Sequence, residues 1–122
     1  MRKILVVDDN QDVCEMLKSL LAVTGHVAEM AYDGPHAIKV AQQFLPDIIL
    51  LDIGLPDMDG WEIAKQLRQM PLFQKTLIFA LSGYGEAADH QRSLDAGMNH
   101  HFVKPLDLED LWQVAAQHGM TP

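Results

Sequence analysis

The sequence predicts an α/β fold built on a parallel β-sheet, and three observations support this prediction. Apolar residues fill every position at 48–51, and similar runs occur at 4–7 and 77–81. Unbroken apolar runs are typical of strands covered on both faces, because a strand with one exposed face would alternate. Helical spacing follows these runs, and this alternation favours right-handed crossovers between parallel strands.

Length and charge narrow the class of protein. The chain has 122 residues and a net charge of −8, which suits one domain spanning residues 1–122 and opposes nonspecific binding to nucleic acid. The single cysteine, Cys14, cannot form an internal disulfide. No signal peptide or membrane-spanning segment is evident, so we expect a cytoplasmic protein whose partners are other proteins.

The first half of the chain predicts two strand–helix pairs. A strand at residues 3–7 precedes a helix that Gly25 ends, with Cys14 at the border of its inward face. The inward residues follow the spacing of three and four: Val13, Leu17, Leu20, Leu21 and Thr24. A second strand at residues 27–31 precedes a helix that begins at Pro35 and ends before Pro46. Its inward residues are Ala37, Ile38, Ala41 and Phe44.

The second half predicts three more strands, each followed by a helix. The central strand ends at Asp52, and the third helix runs from Gly60 to Pro71 with four inward residues: Ile63, Ala64, Leu67 and Met70. A strand at residues 76–81 precedes a helix at about residues 86–96, which Gly97 ends. A strand at residues 99–103 precedes the last helix, marked by Leu108, Leu111, Trp112 and Ala115.

Five such units favour the flavodoxin-like arrangement, a (βα)5 three-layer sandwich with strand order 2-1-3-4-5. Its winding reverses between strands 1 and 3, and ligands bind beyond the carboxyl ends of the strands at that switch point. Asp8 and Asp9 follow the first strand, and Asp52 ends the third. We therefore expect three carboxylates in this crevice.

Three neighbouring carboxylates repel one another unless a cation lies among them. Mg²⁺ prefers oxygen ligands and keeps waters that a phosphate can replace. Asp52 could then attack phosphorus and form an acyl phosphate. Ser82 and Lys104 end the next two strands, so a hydroxyl and an ammonium could stabilise charge on the phosphoryl oxygens.

Four elements together resemble the response-regulator receiver domain of two-component signalling: Asp8-Asp9, the stretch from Asp52 to Gly60, Ser82-Gly83 and Lys104-Pro105. The resemblance covers essentially the whole chain. It implies that Asp52 accepts a phosphoryl group from phosphohistidine on a sensor histidine kinase or a histidine phosphotransfer domain. The domain would then bind a downstream effector differently and dephosphorylate itself slowly, without turning over an external substrate or binding DNA.

The resemblance also implies roles for individual residues. Mg²⁺, or Mn²⁺, would be held by Asp9, Asp52 and the backbone carbonyl of Gly54, with Asp8 acting through water. Ser82 and Lys104 would contact the phosphoryl oxygens. The peptide bond between Lys104 and Pro105 would be cis.

Some positions depart from the common pattern of the family. His101 stands three residues before Lys104, where receivers usually carry a Tyr or Phe that switches together with the hydroxyl residue. An imidazole is smaller than these rings and can titrate near neutral pH. Gly54 and Tyr84 occupy positions that in the family tune the lifetime of the phosphoryl group. The residues at 82–85 and 100–105 are similar to receivers of hybrid sensor histidine kinases, in which this chain would be one part.

Other interpretations remain open. An FMN-binding protein would need donors rather than carboxylates after the first strand. A phosphatase would turn over an external substrate, and a receiver-like binding module would not need the acidic set. A histidine metal site is disfavoured, because no histidines lie four apart and His100 and His101 would face opposite sides of a strand. We expect Cys14 and Trp112 to be core residues.

Overall fold

A computed structural model describes residues 1–55, 59–83 and 87–122. Within these residues, five parallel strands form one sheet in the order 2-1-3-4-5, which confirms the predicted topology. The strands are β1 (Lys3–Val7), β2 (Val27–Ala31), β3 (Ile48–Asp52), β4 (Leu77–Ser82) and β5 (His100–Val103). The helices are α1 (Gln11–Val23), α2 (Gly34–Phe44), α3 (Gly60–Arg68), α4 (Ala87–Asp95) and α5 (Leu108–Gln117).

The central strand β3 separates two apolar cores. All five of its residues are buried, and successive side chains enter opposite cores because strand side chains alternate. Ile49 and Leu51 pack with α2 and α3, whereas Ile48 and Leu50 pack with α1 and α5. This double coverage explains the unbroken apolar run in the sequence.

The inward face of α1 differs from the predicted one. Cys14, Leu17 and Leu21 are buried, whereas Leu20 is 45% exposed and Thr24 is also exposed. The Cys14 thiol lies 3.4 Å from the carbonyl oxygen of Asp8, which brings this side of the helix against the end of β1. The predicted face was therefore wrong at its outer edge, and Cys14 is a central contact rather than a border residue.

The helix ends follow the predicted chemistry with small shifts in position. Gly25 and Gly97 adopt positive φ angles of 88° and 93°, as expected for residues that end helices. Asp33 caps α2, so Pro35 is its second residue rather than its first. The start of the fourth helix, predicted near residue 86, lies outside the described residues, which resume at Ala87.

Helix α3 ends at Arg68, earlier than predicted, because Met70 precedes Pro71 and is extended. Arg68 joins this end of the helix to later segments. Its guanidinium donates to the carbonyl oxygens of Phe73 and Gly97, at 2.6 and 2.8 Å, and to Asn99 Oδ1 at 2.7 Å. A 3₁₀ turn at Pro71–Phe73, which the sequence did not predict, brings one of these carbonyls into reach. We call this set of bonds the Arg68 clamp. It joins the end of α3 to the segments that lead into β4 and β5.

Two further expectations concern the surface. Trp112 is half-buried rather than fully inside the core, and its ring lies 4.7 Å from that of His26. Across the described parts of the chain, none of the helices is long and apolar enough to cross a lipid bilayer.

The first residue of α3 approaches the end of β3 so closely that a side chain would not fit. A Cβ atom on Gly60 would lie 2.7 Å from Ile53 Cα and 2.8 Å from the Asp52 carbonyl oxygen. We predict that Gly60→Ala lowers the free energy of unfolding by about 1–3 kcal/mol, because the backbone must shift to relieve the overlap. Urea denaturation would measure the change.

Gly83→Ala is the matched control for this measurement. A Cβ atom at Gly83 would have no neighbour within 4 Å, so its effect on stability should be small. Equal stability of Gly60→Ala and the natural protein would contradict the close approach of the two segments.

Candidate functional site

The carboxyl ends of β1 and β3 bring the predicted carboxylates together. The two strands are neighbours with Val7 paired to Leu51, so Asp8 and Asp52 follow at adjacent positions. One oxygen from each of Asp8, Asp9 and Asp52 lies within 4.8 Å of the others. Asp8 and Asp52 are buried, whereas Asp9 is exposed. The site therefore combines an enclosed pair of carboxylates with one that faces solvent.

Lys104 lies between the two buried carboxylates. Its Nζ donates to Asp8 Oδ2 at 2.7 Å and to Asp52 Oδ2 at 3.2 Å. Burial alone would lower the pKa of Lys104, but the hydrogen bond to Asp8 and the charge of Asp52 raise it above the ordinary value. The ammonium is therefore charged and offsets part of the negative charge.

The other oxygens of these carboxylates accept bonds from backbone amides. Asp8 Oδ1 accepts from Asn10 at 3.0 Å, and Asp52 Oδ1 accepts from Gly54 at 2.9 Å. Burial raises the pKa of Asp52, the bond from Gly54 lowers it, and the nearby charge of Asp8 raises it again; the net change is upward. Asp52 is thus held as a partly desolvated carboxylate in a fixed orientation.

The acidic cluster fits the chemistry of a hard divalent cation. Its donors are all carboxylate oxygens, which Mg²⁺ and Mn²⁺ prefer, and their spacing allows one ion to contact more than one of them. Gly54 is exposed beside Asp52, and the role of its carbonyl oxygen as a ligand stays a prediction. Asp8, Asp9 and Asp52 could therefore hold a metal ion.

Ser82 belongs to a second polar group beside the carboxylates. It is the last residue of β4, and its Oγ lies 2.6 Å from Nε2 of His101 on β5. The other ring nitrogen of His101, Nδ1, lies 2.9 Å from Oγ of Ser93 on α4. Trp61 on α3 donates from Nε1 to the same Ser93 oxygen at 3.0 Å. We call Trp61, Ser93, His101 and Ser82 the polar relay.

An open cleft of about 240 Å³ joins the two groups. Asp52 and Gly54 line one part of it, and Ser82 and Gly83 line another. Trp61 and Asp89 also line it, although sequence reasoning gave them no role at the site. The cleft is large enough to hold a group of a few atoms next to Asp52.

Sequence reasoning also missed Ser93, although one feature pointed to it. Ser93 lies three residues before Ala96 and is fully buried, so a polar residue stands where the helical spacing calls for an apolar one. A buried hydroxyl needs a partner. The sequence does not identify that partner, because Trp61 lies 32 residues away.

Three other features from the sequence analysis have different outcomes. The peptide bond between Lys104 and Pro105 is cis, as the resemblance implies. Tyr84, expected to influence the lifetime of the phosphoryl group, lies outside the described residues. The histidines do not join the acidic cluster, and His101 is instead stacked on His90 with a ring separation of 4.2 Å.

Comparison with known proteins gives the same family from sequence and from structure. The model of the response regulator receiver domain matches residues 4–116. The chemotaxis response regulator CheY4 of Vibrio cholerae superposes with a TM-score of 0.87 and 30% identity, covering 97% of this chain and 98% of that chain. A two-component response regulator from Clostridium difficile gives 0.87 and 30%, with coverages of 97% and 95%.

Curated relatives include longer proteins. Response regulator MprA of Mycobacterium ulcerans is 35% identical over 109 residues, which are 89% of this chain and 46% of that protein. The alkaline phosphatase synthesis transcriptional regulatory protein PhoP of Bacillus subtilis is 38% identical over 105 residues, with coverages of 86% and 43%. The chain thus spans a little under half the length of these regulators.

One relative of similar length matches this chain over most of both sequences. An uncharacterised 14.6 kDa protein of Leptolyngbya boryana is 30% identical over 115 residues, which are 94% of this chain and 88% of that protein. The strand order, the carboxylates at the switch point and the family match agree with one another, and the chain therefore belongs to the response-regulator receiver domain family, the regulatory domains of two-component systems.

Proposed function

We propose that this receiver domain is a phosphorylation switch in which Asp52 is the phosphoryl acceptor. The observation that carries the proposal is the setting of its carboxylate, which lines an open cleft beside Asp8, Asp9 and the Lys104 ammonium. Gly54 and Lys104 each bind one of its oxygens. A nucleophile held in this way loses little freedom when it meets the phosphoryl group.

The phosphoryl donor is a phosphohistidine on a sensor histidine kinase or a histidine phosphotransfer domain. An oxygen of Asp52 attacks phosphorus, a P–O bond forms as the P–N bond breaks, and the imidazole nitrogen leaves with its electron pair. Negative charge spreads over the phosphoryl oxygens in the transition state. Lys104 and the Ser82 hydroxyl donate hydrogen bonds to these oxygens.

A divalent cation belongs to this proposal. Asp9, Asp52 and the Gly54 carbonyl would hold Mg²⁺ or Mn²⁺ directly, and Asp8 would act through water. The bound ion supplies positive charge that offsets repulsion between the carboxylates and the incoming phosphoryl group. Slow attack by water on the acyl phosphate later restores Asp52, so the domain catalyses only changes to itself.

The output is proposed to be a change in the surface offered to an effector domain or protein, with Ser82 and His101 as the switch residues. The longer relatives support this because the receiver occupies less than half of each. The net charge of −8 disfavours direct DNA contact by residues 1–122, which we propose act as one cytoplasmic domain. We also propose that this receiver is one domain of a hybrid sensor histidine kinase.

Phosphorylation can be tested with a small donor. We predict that acetyl phosphate with Mg²⁺ produces one adduct in the intact mass spectrum of the protein, because Asp52 is the nucleophile aimed into the cleft. Asp52→Asn and chelation of the metal should each abolish the adduct.

The control is Asp12→Asn, which changes an exposed carboxylate in the first turn of α1. It should form the adduct as the natural protein does. An adduct that persists on Asp52→Asn would move the acceptor to another residue, and an Mg²⁺-independent adduct would remove the metal from the proposal.

The raised pKa of Asp52 predicts an effect on stability. Unfolded, this carboxyl ionises near 3.8, whereas burial raises the pKa in the fold. Stability is therefore lost as the pH rises from about 3.8 through the raised pKa. Without Mg²⁺, Asp52→Asn should raise the free energy of unfolding by about 1 kcal/mol at pH 7, because it removes a buried charge. Single stabilising substitutions commonly have an effect of this size.

Urea unfolding at pH 7 and at pH 3 would measure this effect. The gain should disappear at pH 3, where both states of the natural protein are protonated. Glu15→Gln, an exposed carboxyl on α1, should show no gain at either pH. A destabilised Asp52→Asn at pH 7 would mean that Lys104 more than offsets the cost of burying this carboxylate.

A further inference from the structure

Helix α4 is attached to the sheet through a polar contact. Among its described side chains, at residues 88–95, Ser93 is the buried one, and Leu94 is 53% exposed. The buried hydroxyl of Ser93 lies 2.9 Å from Nδ1 of His101. The polar relay therefore includes a direct contact between this helix and β5.

The direction of the relay is set at Trp61. An indole N–H can only donate, so Ser93 Oγ accepts from Trp61. The guanidinium of Arg92 lies over the Trp61 ring, 3.9 Å from its centre, as a cation–π contact. The hydroxyl proton of Ser93 can then point to Nδ1 of His101, 2.9 Å away.

We propose that His101 is a positioning residue for Ser82, and that Ser93 and Trp61 select the tautomer of its imidazole. With Nδ1 accepting from Ser93, the ring carries its proton on Nε2 and donates it to Ser82 Oγ. The hydroxyl proton of Ser82 is thereby directed to acceptors in the cleft rather than to His101. The inference rests on the proposed role of Ser82 as a donor to the phosphoryl group.

The surroundings of His101 favour a neutral imidazole, which has one N–H and hence a defined tautomer. Burial and the electrostatic effect of His90 lower the pKa of His101 below the ordinary 6.5, and the charge of Asp89 and a hydrogen bond with its backbone raise it by less. His100, the adjacent residue of β5, lowers the pKa slightly further. A neutral ring can accept from Ser93 and donate to Ser82 at the same time.

Four donors that all point the same way also strengthen one another, because each hydrogen bond polarises the next. The relay runs from the indole on α3, through α4 and β5, to the end of β4, and it ends beside Asp52 in the cleft. A phenyl ring at position 101 could fill the same space but could not aim the Ser82 hydroxyl. This is the difference that an experiment can isolate.

The first test reads the tautomer directly in the unphosphorylated, full chain. Long-range proton–nitrogen NMR correlations at pH 7 distinguish a protonated from an unprotonated ring nitrogen, and loss of one ring's signals in His101→Gln assigns them. We expect the Nε2–H form, and we expect Ser93→Ala to mix the two tautomers. An Nδ1–H ring, or an imidazolium, in the natural protein would overturn the proposal.

The second test measures the rate of adduct formation with acetyl phosphate and Mg²⁺. Loss of one hydrogen bond that positions Ser82 should slow His101→Phe by about fivefold. His101→Gln places an amide N–H near the position of Nε2 and should recover most of this loss. His100→Phe, on the opposite face of the same strand, is the matched control and should react at the natural rate.

The outcomes separate this inference from the proposed function. No adduct on the natural protein would refute Asp52 phosphorylation, while the tautomer measurement would still decide the state of His101. Equal slowing by His101→Phe and His101→Gln, or slowing by neither, would show that the ring only fills space. If His101→Phe fails to fold in circular dichroism, slowing by Ser93→Ala at natural stability supports the proposal, and a natural rate overturns it.

Discussion

The ion pair network of Lys104 with Asp8 and Asp52 is the interaction on which this site depends. Two buried carboxylates would repel each other in a poorly hydrated environment, and the ammonium between them reduces this repulsion. It also links the ends of β1, β3 and β5, although β5 is separated from β3 by β4. One cation among three acidic side chains leaves excess negative charge, which explains why the site suits a further cation.

The two apolar cores supply the stability that lets the fold tolerate these buried charged groups. Every residue of β3 is buried, and helices cover both faces of the sheet. The carboxylates of the site lie at the carboxyl edge of the sheet, where short segments after the strands supply backbone donors such as those of Asn10 and Gly54. Stability and chemistry thus come from different parts of the same strands.

The sequence predicted the fold and the acidic cluster because both depend on local patterns. An apolar run marks a covered strand, and the residue that follows it must lie at the edge of the sheet. Ser93 and Trp61 were not assigned to the site because their contact joins residues 32 positions apart. The inward face of α1 was predicted wrongly at its edge for a related reason. The spacing of apolar residues does not reveal the hydrogen bond from Cys14 to the Asp8 carbonyl oxygen.

Two separate polar networks meet the carboxyl-terminal part of α4. Beyond its carboxyl end, the Arg68 clamp binds the carbonyl oxygen of Gly97 and the side chain of Asn99, and neither residue lines the cleft beside Asp52. Within the helix, Ser93 reaches His101 and through it Ser82 at the cleft. Helix α4 is thus followed directly by a polar network outside the cleft, while its own buried hydroxyl belongs to a second network that ends in the cleft.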